Sequence, residues 1–137
     1  MDLPKPVRIL VVTDRGVVAP SLLDALRKRA QQGLARFRVL VPNPAAAEWH
    51  PLHPGRHAKV DEAERMLIRA LPQIQDAVDA GVTGRVSVRH DPMEAIEEFL
   101  HDEPFDEIIL AVSHPHLDRL AHRVEHTGLP VTTVRDA

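Results

Sequence analysis

Three groups of residues in this sequence carry side chains that can do chemistry, and each allows more than one use. Ser113, His114, Pro115 and His116 form a turn between the apolar run IILAV and a helix-like segment. A turn so placed lies at a helix N-terminus, where backbone amides and the helix dipole attract an anion. The hydroxyl and imidazoles suit a small anion or a monophosphate, with imidazolium charge adding to the attraction below pH ~6.5. The plainer use is capping: Ser113 or His114 caps the helix and Pro115 opens it. Turns that cradle triphosphates are usually filled with glycine, and here none occurs between Val112 and Gly128. Pro115 also has no amide to offer.

His50, His53 and His57 form H-x2-H-x3-H, and neutral imidazoles are ligands for zinc, copper or nickel. Their segment, residues 43–58 (NPAAAEWHPLHPGRHA), is rich in proline and has Glu48 as its one acid, so it supplies ligands without a rigid scaffold. Trp49 beside them reads as a loop anchor or as a ligand platform. Asp14, which follows VRILVVT, either accepts a hydrogen bond from a nucleotide base or closes a turn with Gly16. Arg15 next to it meets an anion above the sheet or simply solvent. Adjacent Ser113 and His114 do not make a triad, because no G-x-S-x-G elbow presents a nucleophile. A phosphoreceiver needs clustered acids, for which Asp14 and Asp91 are the candidates, and a lysine after the last strand, which is absent.

These groups must be positioned by a single domain, since 137 residues can build one real core but not two. With 27% charged and 44% hydrophobic residues and no low-complexity tract, the chain is globular in composition. A net charge of -3 with interspersed signs argues against nucleic acid as partner. The absence of cysteine excludes disulfides, thiol catalysis and cysteine-ligated zinc. No stretch approaches a membrane span and the N-terminus lacks a leader pattern, so the expectation is a cytoplasmic protein with no membrane contact.

Periodicity predicts alternating strands and helices. Residues 7–13 and 108–112 are apolar almost throughout, as expected of strands covered on both faces. Residues 36–42 (RFRVLVP) and 84–90 (GRVSVRH) alternate instead, and the latter reads as an edge. Between them, a helix over 21–33 ends at Gly33, a loop fills 43–58, and a long helix steps through Val60, Ala63, Leu67, Ala70, Ile74 and Val78. Pro72 should kink that helix and Gly81 should end it. Asp91, Pro92 and Glu94 then start a helix that stops by Pro104, and residues 115–126 form the last one. The closing strand is LPVTTV, with Leu129 and Val134 at its ends.

Such alternation implies an α/β fold: a five-stranded parallel sheet with helices on both faces, Rossmann-like. Placing the two fully apolar strands at the centre gives the order 3-2-1-4-5. The order 2-1-3-4-5 would bury the arginines of the third strand without a partner. Winding then reverses between the first and fourth strands, and a ligand should sit above Asp14-Arg15-Gly16 and Ser113-His114.

Taken in order, RILVVTD, the loop and long helix around DEAERML, DPMEAIEEFL with PFDEIILAVS, and the closing HTGLPVTTV cover nearly the whole chain. This pattern resembles the universal stress protein superfamily, particularly its short actinobacterial-type members. The resemblance implies an adenine nucleotide alpha hydrolase-like fold and dimerisation through the last strand, residues 129–134. ATP-binding members are similar to one another in an acidic residue after the first strand, an apolar residue ending the second, and G-x2-G-x9-G-[ST] after the fourth. Asp14 matches the first position and Val41 the second, as a wall against adenine; the third is missing. The expectation is therefore a non-catalytic binding or regulatory domain, homodimeric, with no cofactor and no ATP site. The alternative is an ATP- or AMP-binding protein with weak ATPase activity, using Asp14, Val41, Ser113 and His114. A third reading is metal binding through His50, His53 and His57.

Overall fold

The computed structural model describes residues 5–13, 18–42, 55–79, 81–87, 91–111 and 117–134, and positions 55–61 and 117–118 by backbone alone. Its strands are β1 (Val7–Thr13), β2 (Ala35–Val41), β3 (Val82–Val86), β4 (Glu107–Ala111) and β5 (Val131–Thr133), separated by helices α1 (Pro20–Gln31), α2 (Gly55–Val78), α3 (Pro92–Asp102) and α4 (Leu117–Glu125). All neighbouring strands pair in parallel, in the order β3-β2-β1-β4-β5. The all-apolar strands are central for the reason anticipated: Ile9 to Val12 and Ile108 to Leu110 point alternately into two cores and are buried on both faces.

One core lies under α1 and α2. Ile9, Val11, Phe37, Val39 and Val41 of the sheet meet Leu22 and Leu26 of α1 and Ala63, Leu67, Ala70 and Ile74 of α2. The other lies under α3 and α4, where Leu10, Val12, Ile108 and Leu110 meet Met93, Ile96 and Phe99 of α3 and Leu120, Ala121 and Val124 of α4. Arg38 and Arg85, which the alternation of β2 and β3 turns toward α3, are absorbed by that helix. Their guanidinium carbons lie 5.7 and 4.4 Å from the centre of the Phe99 ring. Arg38 pairs with Glu103 at 3.1 Å, and Arg85 lies 3.6 Å from Glu98 and 3.5 Å from Asp102.

Three boundaries differ from the sequence reading. Helix α2 starts at Gly55, so four residues assigned to the long loop are helical. The helix also passes through Pro72 as one element, because Pro72 is exposed and the carbonyl it leaves without a donor belongs to Ile68, itself 68% exposed. Asp79, with φ 47°, supplies the left-handed residue after α2 that was expected of Gly81. Finally, β3 begins at Val82, two residues early, and Gly84 lies inside it. A Cβ there would fall 2.5 Å from Leu67 Cδ1 and 3.2 Å from Leu71 Cδ2, so α2 rests directly on the glycine backbone.

Candidate ligand crevice

Reversal of winding between β1 and β4 opens a crevice at the carboxyl ends of the strands. Thr13 and Ala111, the last residues of β1 and β4, are register partners. On the other side of β1, Val41 ends β2, and its carbonyl accepts the Ser87 amide at 3.3 Å, extending the pairing with β3 by one step. Thr13 and Ser87 are buried, the only described polar residues so classed. Among the described residues, these strand ends carry hydroxyls and apolar side chains.

Two further contacts shape this end; the sequence reading passed over the first and, of the second, found the helix cap but not the ion pair. The Val18 amide donates to Oε1 of Gln73 at 3.0 Å, while Nε2 of Gln73 donates to the Arg69 carbonyl at 2.8 Å. Gln73 therefore ties the end of the β1–α1 connection to α2. Asp91 is the second. Its carboxylate accepts the Met93 amide at 3.1 Å as the cap of α3, and also holds Arg123 of α4 at 3.1 Å. An acid weighed as part of a phosphoreceiver is thereby occupied with joining two helices.

Of the residues singled out in the sequence, Val41 is placed here, fully buried in the core under α1 and α2. Asp14, Arg15, Ser113, His114, His116, His50, His53 and Trp49 lie outside the described residues. His57 falls on the backbone of α2, with its side chain outside that description. Among the described residues, no three His, Asp or Glu side chains gather to hold a metal, and no helix is long and apolar enough to cross a membrane.

Among the described residues, the ionisable groups that the fold perturbs lie at the opposite, amino ends of the strands. Hydrogen bonds to Glu107 raise the pKa of Arg29, partly offset by burial. The Arg8 backbone amide, at 2.9 Å, holds the Asp106 carboxyl below its ordinary range.

A parallel sheet of this order with two helices on each face and a switch point between β1 and β4 defines a Rossmann-like α/β class. Within that class the chain has the universal stress protein fold. It is similar to a universal stress protein from Archaeoglobus fulgidus at 17% identity, with a TM-score of 0.66 over 94% of this chain and 93% of that one. A structure of the universal stress protein from the same organism in complex with dAMP matches at 18% identity and a TM-score of 0.66, covering 94% and 98% of the two chains. A universal stress protein family member from Burkholderia pseudomallei matches at 20% identity and a TM-score of 0.63, over 93% and 96%. No protein-family model and no curated protein matches the sequence.

Proposed function

We propose that the chain is a small, cytoplasmic binding or regulatory domain of the universal-stress-protein type, non-catalytic, dimeric and without a triphosphate site. The burial of Val41 carries this reading. The residue that should stand as a wall against adenine is spent on the core beneath α1 and α2, and leaves no exposed face for a ring. The glycine-free turn Ser113-His114-Pro115-His116 supports it, because left-handed backbone is needed to converge several amides on a triphosphate. Calorimetric titration with Mg-ATP and with AMP tests it. No heat from either ligand is expected, whereas micromolar binding abolished by Asp14→Ala would make nucleotide sensing the function.

A nucleotide-binding reading has one observation in its favour: a protein of the same fold forms a complex with dAMP. A monophosphate asks less of the turn than a triphosphate does; in that reading Asp14, Val41, Ser113 and His114 supply the contacts, which requires the end of β2 to uncover Val41. Retained nucleotide, seen as raised absorbance at 260 nm in purified protein, would support that alternative.

The dimer is proposed to form through β5, which lies at one edge of the sheet. The Pro130 carbonyl accepts from Ile108 and the Val134 amide donates to Leu110, so by alternation the Val131 and Thr133 amides face away from β4. Val131→Pro therefore removes an outward donor and spares the internal ladder. The variant should scatter light as a monomer where the parent protein is a dimer; equal masses would overturn the interface.

A further inference from the structure

We propose that His122 in the last turn of α4 and His126, the residue just past its end, form a two-ligand site for a late first-row divalent metal, Cu2+ or Ni2+ ahead of Zn2+, with water completing the coordination. Histidines four apart on a helix lie one above the other on the same face. Here the two rings have centroids 5.1 Å apart and planes at 85°. A metal about 2.0–2.1 Å from one nitrogen of each ring, in neighbouring coordination positions, sets the ring centres roughly 4.5–5.2 Å apart. The observed separation falls within that range; the rings meet edge to face, and rotation about χ2 brings one nitrogen of each onto a shared metal.

The surroundings favour a cation and hold the pair in place. Leu120, Ala121 and Val124 turn into the core, and both histidines are exposed on the other side of α4. His122 occupies the last turn and His126 the position after it, where the negative end of the helix dipole attracts positive charge, and exposed Glu125 adds to it. The backbone at His126 is fixed by its amide bond to the Arg123 carbonyl at 3.2 Å. Just beyond it, the Thr127 hydroxyl donates to the Val124 carbonyl at 2.7 Å and accepts the Leu129 amide at 3.3 Å. Arg123, the cation between the two histidines in sequence, is drawn to Asp91 on α3. Arg119, one turn earlier, is exposed, so water screens its charge from the pair. With two protein ligands the site is an open chelate rather than a closed structural zinc centre. These two histidines lie far along the sequence from His50, His53 and His57, and no ligand is drawn from that segment.

The test uses tag-free full-length protein titrated with Ni2+, Zn2+ and Mg2+, followed by calorimetry and by thermal unfolding. The His122→Ala/His126→Ala variant is compared with His50→Ala/His53→Ala/His57→Ala, and circular dichroism confirms that each remains helical. The parent protein and the loop variant should bind one Ni2+ and gain in Tm, since a ligand of the native state stabilises it. The helix variant should lose at least about tenfold in affinity together with the Tm gain, Zn2+ should bind more weakly than Ni2+, and Mg2+ should give no response. Absence of Ni2+ binding, binding unchanged by the helix substitutions, or binding lost in both variants would each overturn the proposal. In the last case the loop histidines would be required ligands.

Discussion

The two ends of the parallel sheet are held by different chemistry. At the amino ends, Arg29 near the end of α1 grips Glu107 at the start of β4 with two bonds of 2.9 and 2.7 Å. Beside it, Arg8 meets Asp106 through its amide and, at 3.5 Å, its side chain. At the carboxyl ends, among the described residues, buried Thr13 and Ser87 and the neutral amide of Gln73 sit beside one ion pair, Asp91–Arg123, which joins helix to helix rather than helix to sheet. The charged end can therefore fasten helix to sheet without touching the crevice. At the carboxyl ends the Val18–Gln73 hydrogen bond ties the end of the β1–α1 connection to α2.

Substitutions at each end should separate stability from crevice order. The largest effect is expected from Glu107→Ala, which strands the Arg29 side chain, only 19% exposed. The loss should be about 2 kcal/mol, between the values for exposed and buried pairs, with Tm lower by roughly 6–10 °C in calorimetry. Nucleotide titrations of this variant should match those of the parent protein.

Gln73→Ala should cost less, about 1 kcal/mol, because it removes the acceptor of one partly buried amide. Its signature should be local: faster amide exchange at Val18, with exchange at Ile9 to Val12 unchanged. Uniformly faster exchange would show that Gln73 supports the whole domain and would erase the contrast between the ends.

The smallest effect belongs to Asp106. Its folded pKa lies below the unfolded value of about 3.9, so it contributes stability above that pH and loses it as the pH falls through the folded value. Urea midpoints of Asp106→Asn should therefore fall less between pH 7 and pH 3 than those of the parent protein. Both side chains are nearly half exposed, so added salt should shrink the difference.

The strand order was legible because burial on both faces leaves a direct mark in the sequence. Ile9 to Val12 and Ile108 to Leu110 have no polar alternate positions, whereas Arg36, Arg38 and Arg85 do. The start of α2 was not legible. A first helical turn needs no apolar period, and Pro54-Gly55 carries the dipeptide signature of a turn. The left-handed stop at Asp79 was hidden behind a more obvious glycine two residues later. At the crevice, pattern reading found candidate ligands by residue type. It could not find Gln73 or the Asp91–Arg123 pair, whose meaning comes from partners 55 and 32 residues away in the chain.

Gly84 and Leu67 share one volume between β3 and α2. A methyl group added at position 84 must displace the leucine, while shortening the leucine alone leaves a void against the sheet. In a library randomised at both sites, the survivors should therefore be correlated: residues larger than glycine at 84 should appear mainly with residues smaller than leucine at 67. The spacing of α2 from the sheet is thus a property of the pair, inherited jointly and altered only by compensating steps.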